Sequence, residues 1–181
     1  KKMTFDGQAV KKWVHEGVQV FSAQTDLYSY GTGIGSWTLT SYTVNQWMTN
    51  PTRSTENNSD HVRLYVSGAG GGSGSPTGAI MKSNVMFDMT NYTKLGVVYK
   101  LQSLTVPDNS CVDVGVGTTY HSYGYLYPKV VTGKLTTVGQ TATAEFDISA
   151  VSGSQYVEIR ANCQSASNTL IDLAVYEIYL A

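Results

Sequence analysis

Charge is scarce in this sequence, because only 14% of its 181 residues are Asp, Glu, Lys or Arg, against about 25% in ordinary soluble domains. Long exposed helices, coiled coils and acidic disordered tails are excluded on that ground. The signs also nearly cancel, leaving a formal net charge of -1, so there is no electrostatic footprint for a phosphate backbone or an anionic lipid surface. Neither nucleic acid nor membrane is an expected partner. No stretch approaches the roughly 20 apolar residues of a membrane span, and the first residues lack the apolar run of a signal peptide. The expectation is a soluble protein, unless a signal precedes the sequence. Two cysteines, Cys111 and Cys163, are too few for a disulfide framework. The expectation is that both are small buried strand residues; a bond between them would instead imply an oxidising compartment.

Chemical motifs are missing as well. There is no phosphate-binding Gly-x-x-x-x-Gly-Lys loop, no His-Glu-x-x-His, no Cys-x-x-Cys and no EF-hand loop. Gly31-Thr32-Gly33-Ile34-Gly35 lacks the strand-to-helix context of a dinucleotide loop. His15, His61 and His121 each lack a neighbouring His or Cys, so no zinc site is expected. No Gly-x-Ser-x-Gly elbow marks a nucleophile. Asp113, Glu145, Asp147 and Asp172 are the acids from which a glycosidase pair would have to be drawn, since that chemistry needs two carboxyls about 5 to 9 Å apart. Asp88 and Asp147 read more simply as turn residues, as does Asp108 with Asn109 after Pro107. The expectation is a protein without catalytic activity, with no cofactor and no metal ligands identified; a structural calcium stays open.

What is present is a chain long enough to bury about 70% of its unfolded surface without staples, rich in Gly (18) and Tyr (13). Near the start, Phe5-Asp6-Gly7-Gln8-Ala9-Val10 is echoed ten residues later by His15-Glu16-Gly17-Val18-Gln19-Val20. Asp-Gly suits a two-residue type I′ turn because glycine accepts positive φ. The pattern predicts three short antiparallel strands, Lys2 to Phe5, Gln8 to His15 and Val18 to Phe21. Strands so short have little core of their own and must dock on something larger. Phe5, Asp6, Gly7, Trp13, Gly17 and Phe21 are the candidate assembly residues. The run resembles the N-terminal meander of small tail, appendage and fibre proteins of phages and prophages of Gram-positive bacteria, in which an adhesive β-domain follows. Glu16-Gly17 stands here for the more usual Asn-Gly, and Phe21 for the terminal Trp.

Further on, Ser36-Trp37-Thr38-Leu39-Thr40 and His61 to Ser67 alternate at period two, which predicts half-buried strands. Trp37 and Leu39 share one inward face, and Val62, Leu64 and Val66 another; the setting of Trp47 stays open. Asn50-Pro51 to Asp60 reads as a polar loop, and Gly68 to Gly78 as a flexible or wide surface loop between strands of a single domain. Two segments share one theme, Phe87-Asp88-Met89-Thr90 before a strand Gly96 to Leu101, and Phe146-Asp147-Ile148-Ser149 before a strand Gln155 to Arg160. In each, the Asp can bond the backbone two residues on. A final strand, Thr169 to Leu180, offers Ile171, Leu173, Val175 and Ile178 to the core.

Asp88 to Leu95, Phe146 to Ile159 and Val175 to Leu180 resemble recurring features of carbohydrate-binding modules and galactose-binding-like domains. The resemblance covers residues 60–181 and implies a jelly-roll β-sandwich. The sequence therefore predicts an all-β chain, with a meander over 1–21 and a sandwich over 22–181.

One local feature remains. In Tyr120-His121-Ser122-Tyr123-Gly124-Tyr125-Leu126-Tyr127-Pro128, the residues Tyr123, Tyr125 and Tyr127 fall on one face of a strand. Such a row is open to three readings: packing, a subunit contact, or a platform for glycan, with Tyr120 and His121 beside it. Taken with the phage resemblance, the expected role is a non-enzymatic virion protein, a tail appendage, fibre or capsid decoration. Its partners would be other virion subunits, copies of itself as a trimer, and host cell-surface glycan. The alternatives are a carbohydrate-binding module of a secreted, extracellular enzyme and a glycan depolymerase.

Overall fold

The computed structural model describes residues 4–5, 8–9, 24–43, 49–69, 77–105, 111–120, 126, 129–163 and 169–181. Among them are fourteen strands and one 3-10 turn, Ile34–Ser36. In chain order the strands are β1 (Thr4–Phe5), β2 (Gln8–Ala9), β3 (Thr25–Ser29), β4 (Trp37–Thr43), β5 (Thr49–Asn57), β6 (Val62–Ala69) and β7 (Thr77–Ser83). There follow β8 (Phe87–Asp88), β9 (Lys94–Thr105), β10 (Cys111–Gly117), β11 (Val131–Lys134), β12 (Thr141–Asp147), β13 (Ser154–Cys163) and β14 (Thr169–Leu180).

Strands β3 to β14 form two antiparallel sheets. The first has the order β11-β10-β13-β7-β4, with β8 against one end of β13. The second has the order β12-β9-β14-β6-β5, with β3 continuing the position of β6 along β14. One apolar core lies between them, drawing Val62, Leu64 and Val66 from β6 and Val157, Ile159 and Ala161 from β13. The described chain is thus an all-β sandwich: the alternating patterns predict its strands, and the sandwich is what the resemblance implies.

Ile171, Leu173, Val175 and Ile178 are all fully buried. The step from Val175 to Ile178 breaks the period of two, and there the register shifts: Val175 faces Tyr99 and Glu177 faces Val98, leaving Tyr176 as an extra residue. That β-bulge restores Ile178 to the inner face.

The corner theme also behaves as its chemistry demands. Asp88 Oδ1 accepts from Thr90 N at 3.0 Å and Thr90 Oγ1 at 2.6 Å, and Asp147 Oδ1 accepts from Ser149 N at 2.8 Å. The two corners interlock, since Gly153 N donates to Thr90 Oγ1 and Ile148 N to the carbonyl of Thr93.

Two expectations are corrected. Residues from Thr49 to Asn57 form strand β5 rather than part of a loop. It is an edge strand with one neighbour, and Pro51 is tolerated where the register shifts between Thr49 and Thr52. Gly68 lies in β6 and Gly78 in β7, so the expected loop is shorter than Gly68 to Gly78. Gly78 is buried, and an added Cβ there would stand 2.5 Å from the Ala161 carbonyl and 2.6 Å from the Tyr42 ring.

At the N-terminus, β1 pairs with β2 through Phe5 and Gln8, leaving two residues between them. Asp6, Gly7, Trp13, Gly17, Phe21 and the expected third strand lie outside the described residues, as does Trp47.

Candidate functional site

Alternation along β13 sends Val157, Ile159 and Ala161 into the core and Glu158, Arg160 and Asn162 to the outer face of the first sheet. The register extends that face into rows. Thr40, Ile80, Arg160, Asp113 and Lys134 lie across neighbouring strands, and beside them run Tyr42, Gly78 and Asn162.

The centre of this face is charged and covered. Arg160 Nη2 donates to Asp113 Oδ2 at 3.1 Å. Lys129 Nζ stands 3.6 Å from both Asp113 Oδ2 and Glu158 Oε1. The Glu158 side chain is fully buried; its Oε2 accepts from Leu126 N at 2.7 Å, and its Oε1 has Arg160 Nε at 3.7 Å. Burial pushes the Glu158 carboxyl above its ordinary value, with Lys129 and Arg160 pulling it back. For Arg160, burial acts to lower the guanidinium, but Tyr42, Glu158 and Asp113 outweigh it and the net shift is upward. Tyr42 Oη donates to Asn162 Oδ1 at 2.7 Å, which closes the network at its other side.

The Tyr-rich segment is tied to this face at two described points. Tyr120 Oη donates to the Ser83 carbonyl at 2.8 Å. Its ring lies 4.7 Å from that of Tyr156, and Lys82 Nζ stands 4.7 Å from its centre. Burial, chiefly, raises the Tyr120 hydroxyl above its ordinary value. Leu126 is buried and bridges antiparallel to Tyr120. His121, Tyr123, Tyr125 and Tyr127 lie outside the described residues.

The four candidate acids are spread over the molecule. Asp113 belongs to the covered network, while Asp172 is held on the other sheet by Arg63, at 2.8 Å and 2.9 Å. Glu145 and Asp147, two apart on β12, line an open depression of about 470 Å³ with Lys94, Phe146, Thr93 and Ser149. Lys94 Nζ sits 2.6 Å from Glu145 Oε2, and that hydrogen bond holds the carboxyl below its ordinary value. Tyr179 Oη donates to the other Glu145 oxygen at 3.1 Å. Burial, helped by that bond, pushes the Tyr179 hydroxyl up to about 12. Among the described residues no three His, Cys, Asp or Glu side chains come together as metal ligands. Cys163 is buried and free, as expected of a small strand residue; the side chain of Cys111 lies outside the described residues.

Sequence reasoning missed Lys129, Glu158 and Arg160. Glu158 and Arg160 occupy outward positions of β13 that alternation alone assigns to solvent, and Lys129 lies outside the strands; Leu126, bonded to Glu158 from a distant part of the chain, helps to make this a buried site. The one signal was an unbroken run, Gln155-Tyr156-Val157-Glu158-Ile159-Arg160, in which charge alternates with core.

No family model and no curated protein sequence matches the chain. Solved structures do. A structure described as showing the promiscuous specificity of carbohydrate-binding modules of the β-sandwich superfamily is similar over 86% of this chain and 62% of its own, at 12% identity and a TM-score of 0.52. The glycoside hydrolase domain of Endo-D from Streptococcus pneumoniae R6 is similar over 80% of this chain, at 16% identity and a TM-score of 0.51. The chain spans only 21% of that structure's length. A tailspike protein of bacteriophage CBA120 is similar at 15% identity over 86% of this chain and 21% of its own, with a TM-score of 0.40, too distant to carry an argument. At these identities the likeness is one of fold: two antiparallel sheets around a single core, the β-sandwich that carbohydrate-binding modules have.

Proposed function

We propose that this chain is a non-enzymatic adhesion protein of a phage or prophage virion, which displays a glycan-binding β-sandwich and attaches to other virion subunits through residues 1–21. The observation that carries the binding half is the covered face of the first sheet. Its charges are paired within the protein, and Tyr120 and Leu126, the described residues of the tyrosine-rich stretch, are hydrogen-bonded to it. Rigid aromatic side chains with a polar tip suit sugar, because a pyranose stacks its C–H face on a ring while its hydroxyls take hydrogen bonds. Tyr123, Tyr125 and Tyr127, with His121 beside them, are the proposed contacts.

A binding rather than a hydrolytic role is supported by the acids themselves. Glu158 is sealed from substrate, and Asp113, Glu145, Asp147 and Asp172 are each engaged by a neighbouring group. The virion half rests on the meander resemblance and on the paired strands β1 and β2.

The test is affinity electrophoresis through gels containing cell-wall polysaccharide of Gram-positive bacteria. Retardation of the chain, lost when Tyr123, Tyr125 and Tyr127 are all changed to Ala, is the expected result. Equal retardation of both proteins would remove the segment from the proposal, and none for either would remove glycan binding.

A further inference from the structure

The turn that follows β3 is built against its own sequence. Ser29 and Thr32 exchange backbone hydrogen bonds at 3.0 Å and 2.8 Å, enclosing Tyr30 and Gly31. Both have positive φ, 45° and 83°. A two-residue hairpin with positive φ at both centres is a type I′ turn, whose first position favours Asn, Asp or Gly. Tyrosine there carries the Cβ penalty of the left-handed region. Residues held in such strain cluster at ligand sites, where the surroundings over-determine them.

The surroundings here do so. Gly31 N donates to Tyr28 Oη at 3.1 Å from the inner side. A Cβ on Gly31 would come within 2.5 Å of the Ser59 carbonyl, so the turn is wedged against the loop before β6. Tyr30 N donates to the carbonyl of Tyr176 at 2.7 Å, and Tyr176 is the extra residue of the β14 bulge. Two backbone irregularities, a strained turn and a bulge, therefore meet at one place.

What they present is a row of three rings. Tyr176 is central, with Tyr30 at 6.0 Å and His61 at 5.5 Å between ring centres. His61 is fixed at both nitrogens, Nδ1 to Asp60 at 2.7 Å and Nε2 to Asn58 at 3.1 Å. Tyr30 is 53% exposed, and it is the aromatic residue among the exposed large apolar side chains described. Packing does not account for an exposed ring in a strained turn.

We propose that Tyr30, Tyr176 and His61 form a second carbohydrate-contact site, which takes one pyranose ring of a glycan on its aromatic row and bonds its hydroxyls to Asp60 and Asn58. Three rings are far fewer than the roughly 20–30 residues a stable protein partner covers, and the polar rim of Asp60 and Asn58 matches a sugar. The site is built by the turn after β3, the loop before β6 and the bulge of β14, on elements of the second sheet, whereas Tyr120 and Leu126 are bonded to the first. It rests on the reading that the chain binds glycan, and adds a second point of attachment to it.

The test is titration of a cell-wall oligosaccharide panel, followed by two-dimensional NMR of the full chain, the Tyr30→Asn variant and the Tyr123→Ala/Tyr125→Ala variant. Tyr30→Asn installs Asn-Gly, the preferred type I′ pair, so its Tm should hold or rise by about 2–4 °C. The expected result is a loss of affinity of at least tenfold at this site, with ligand-induced shifts at His61 and Tyr176 that persist in the Tyr123→Ala/Tyr125→Ala variant. Glycan binding by the unaltered chain that Tyr30→Asn leaves unchanged overturns the second site alone. A chain that binds no member of the panel overturns both this site and the reading beneath it. Loss of binding together with a fall in Tm of more than about 5 °C also overturns it, because the ring would then be a packing residue.

Discussion

The two outer faces of the sandwich handle charge in opposite ways. On the first sheet, Asp113, Lys129, Glu158 and Arg160 are taken out of water together, with Leu126 N bonded to Glu158. On the second, Arg63 with Asp172 and Lys94 with Glu145 sit closer to solvent. The same residue types are thus costly on one face and cheap on the other. Removing one member of a covered network strands its partners in a low dielectric, whereas an exposed pair exchanges its partner for water. A buried network also fixes side chains in place, which is what a platform for a ligand requires.

The largest expected effect is at Arg160. Arg160→Met removes the guanidinium that faces both Asp113 and Glu158, and unfolding in urea should show a loss of about 3–5 kcal/mol. A loss below 1 kcal/mol would mean that the two faces do not differ as described.

Next come two glycines, one on each face. Gly78→Ala meets the Ala161 carbonyl and the Tyr42 ring, while the atoms nearest an added Cβ at Gly96 all belong to the Tyr179 ring. Overpacking typically costs about 1–3 kcal/mol. Because a backbone oxygen yields less than a ring, Gly78→Ala should lie at the upper end and Gly96→Ala at the lower. The reverse order in thermal unfolding would contradict the packing.

The pH dependence of stability sharpens the contrast. The folded Glu158 carboxyl is raised above its ordinary value of 4.5, so its contribution is fully present below pH 4.5 and is lost as pH rises through the folded value. Glu145 is lowered from 4.5, so its contribution is present above pH 4.5 and is lost as pH falls through the folded value. Urea midpoints measured across pH should therefore lose their decline above pH 4.5 in Glu158→Gln. In Lys94→Ala the acid limb should flatten instead. Neither slope should exceed that of one proton, about 1.4 kcal/mol per pH unit. The smallest effect is the stability of Lys94→Ala at neutral pH, expected to fall by less than about 1 kcal/mol.

The sequence was legible where one face meets the core and the other meets water. Val62, Leu64 and Val66 alternate without interruption, and β6 follows from them. The broken period between Val175 and Ile178 even carried the bulge, although the pattern alone names no function for Tyr176. The strand β5 was hidden because an edge strand with polar residues on both sides looks like a loop, and Pro51 strengthens that impression. The site on the first sheet was hidden for a different reason. Glu158 and Arg160 occupy outward positions, and what buries them is contributed from more than thirty residues away. The turn at Tyr30 escaped because tyrosine carries no turn signal; Gly31 and Gly33 were its only trace.

The central claim is that the sandwich holds glycan without cutting it. The direct test is to incubate the chain with Gram-positive cell-wall polysaccharide and to measure, in the same tube, the protein retained on the polymer and the reducing ends released. The account predicts retention with reducing ends at the level of a protein-free control. Reducing ends that rise with time and protein concentration, or a chain that stays wholly in solution, would contradict it.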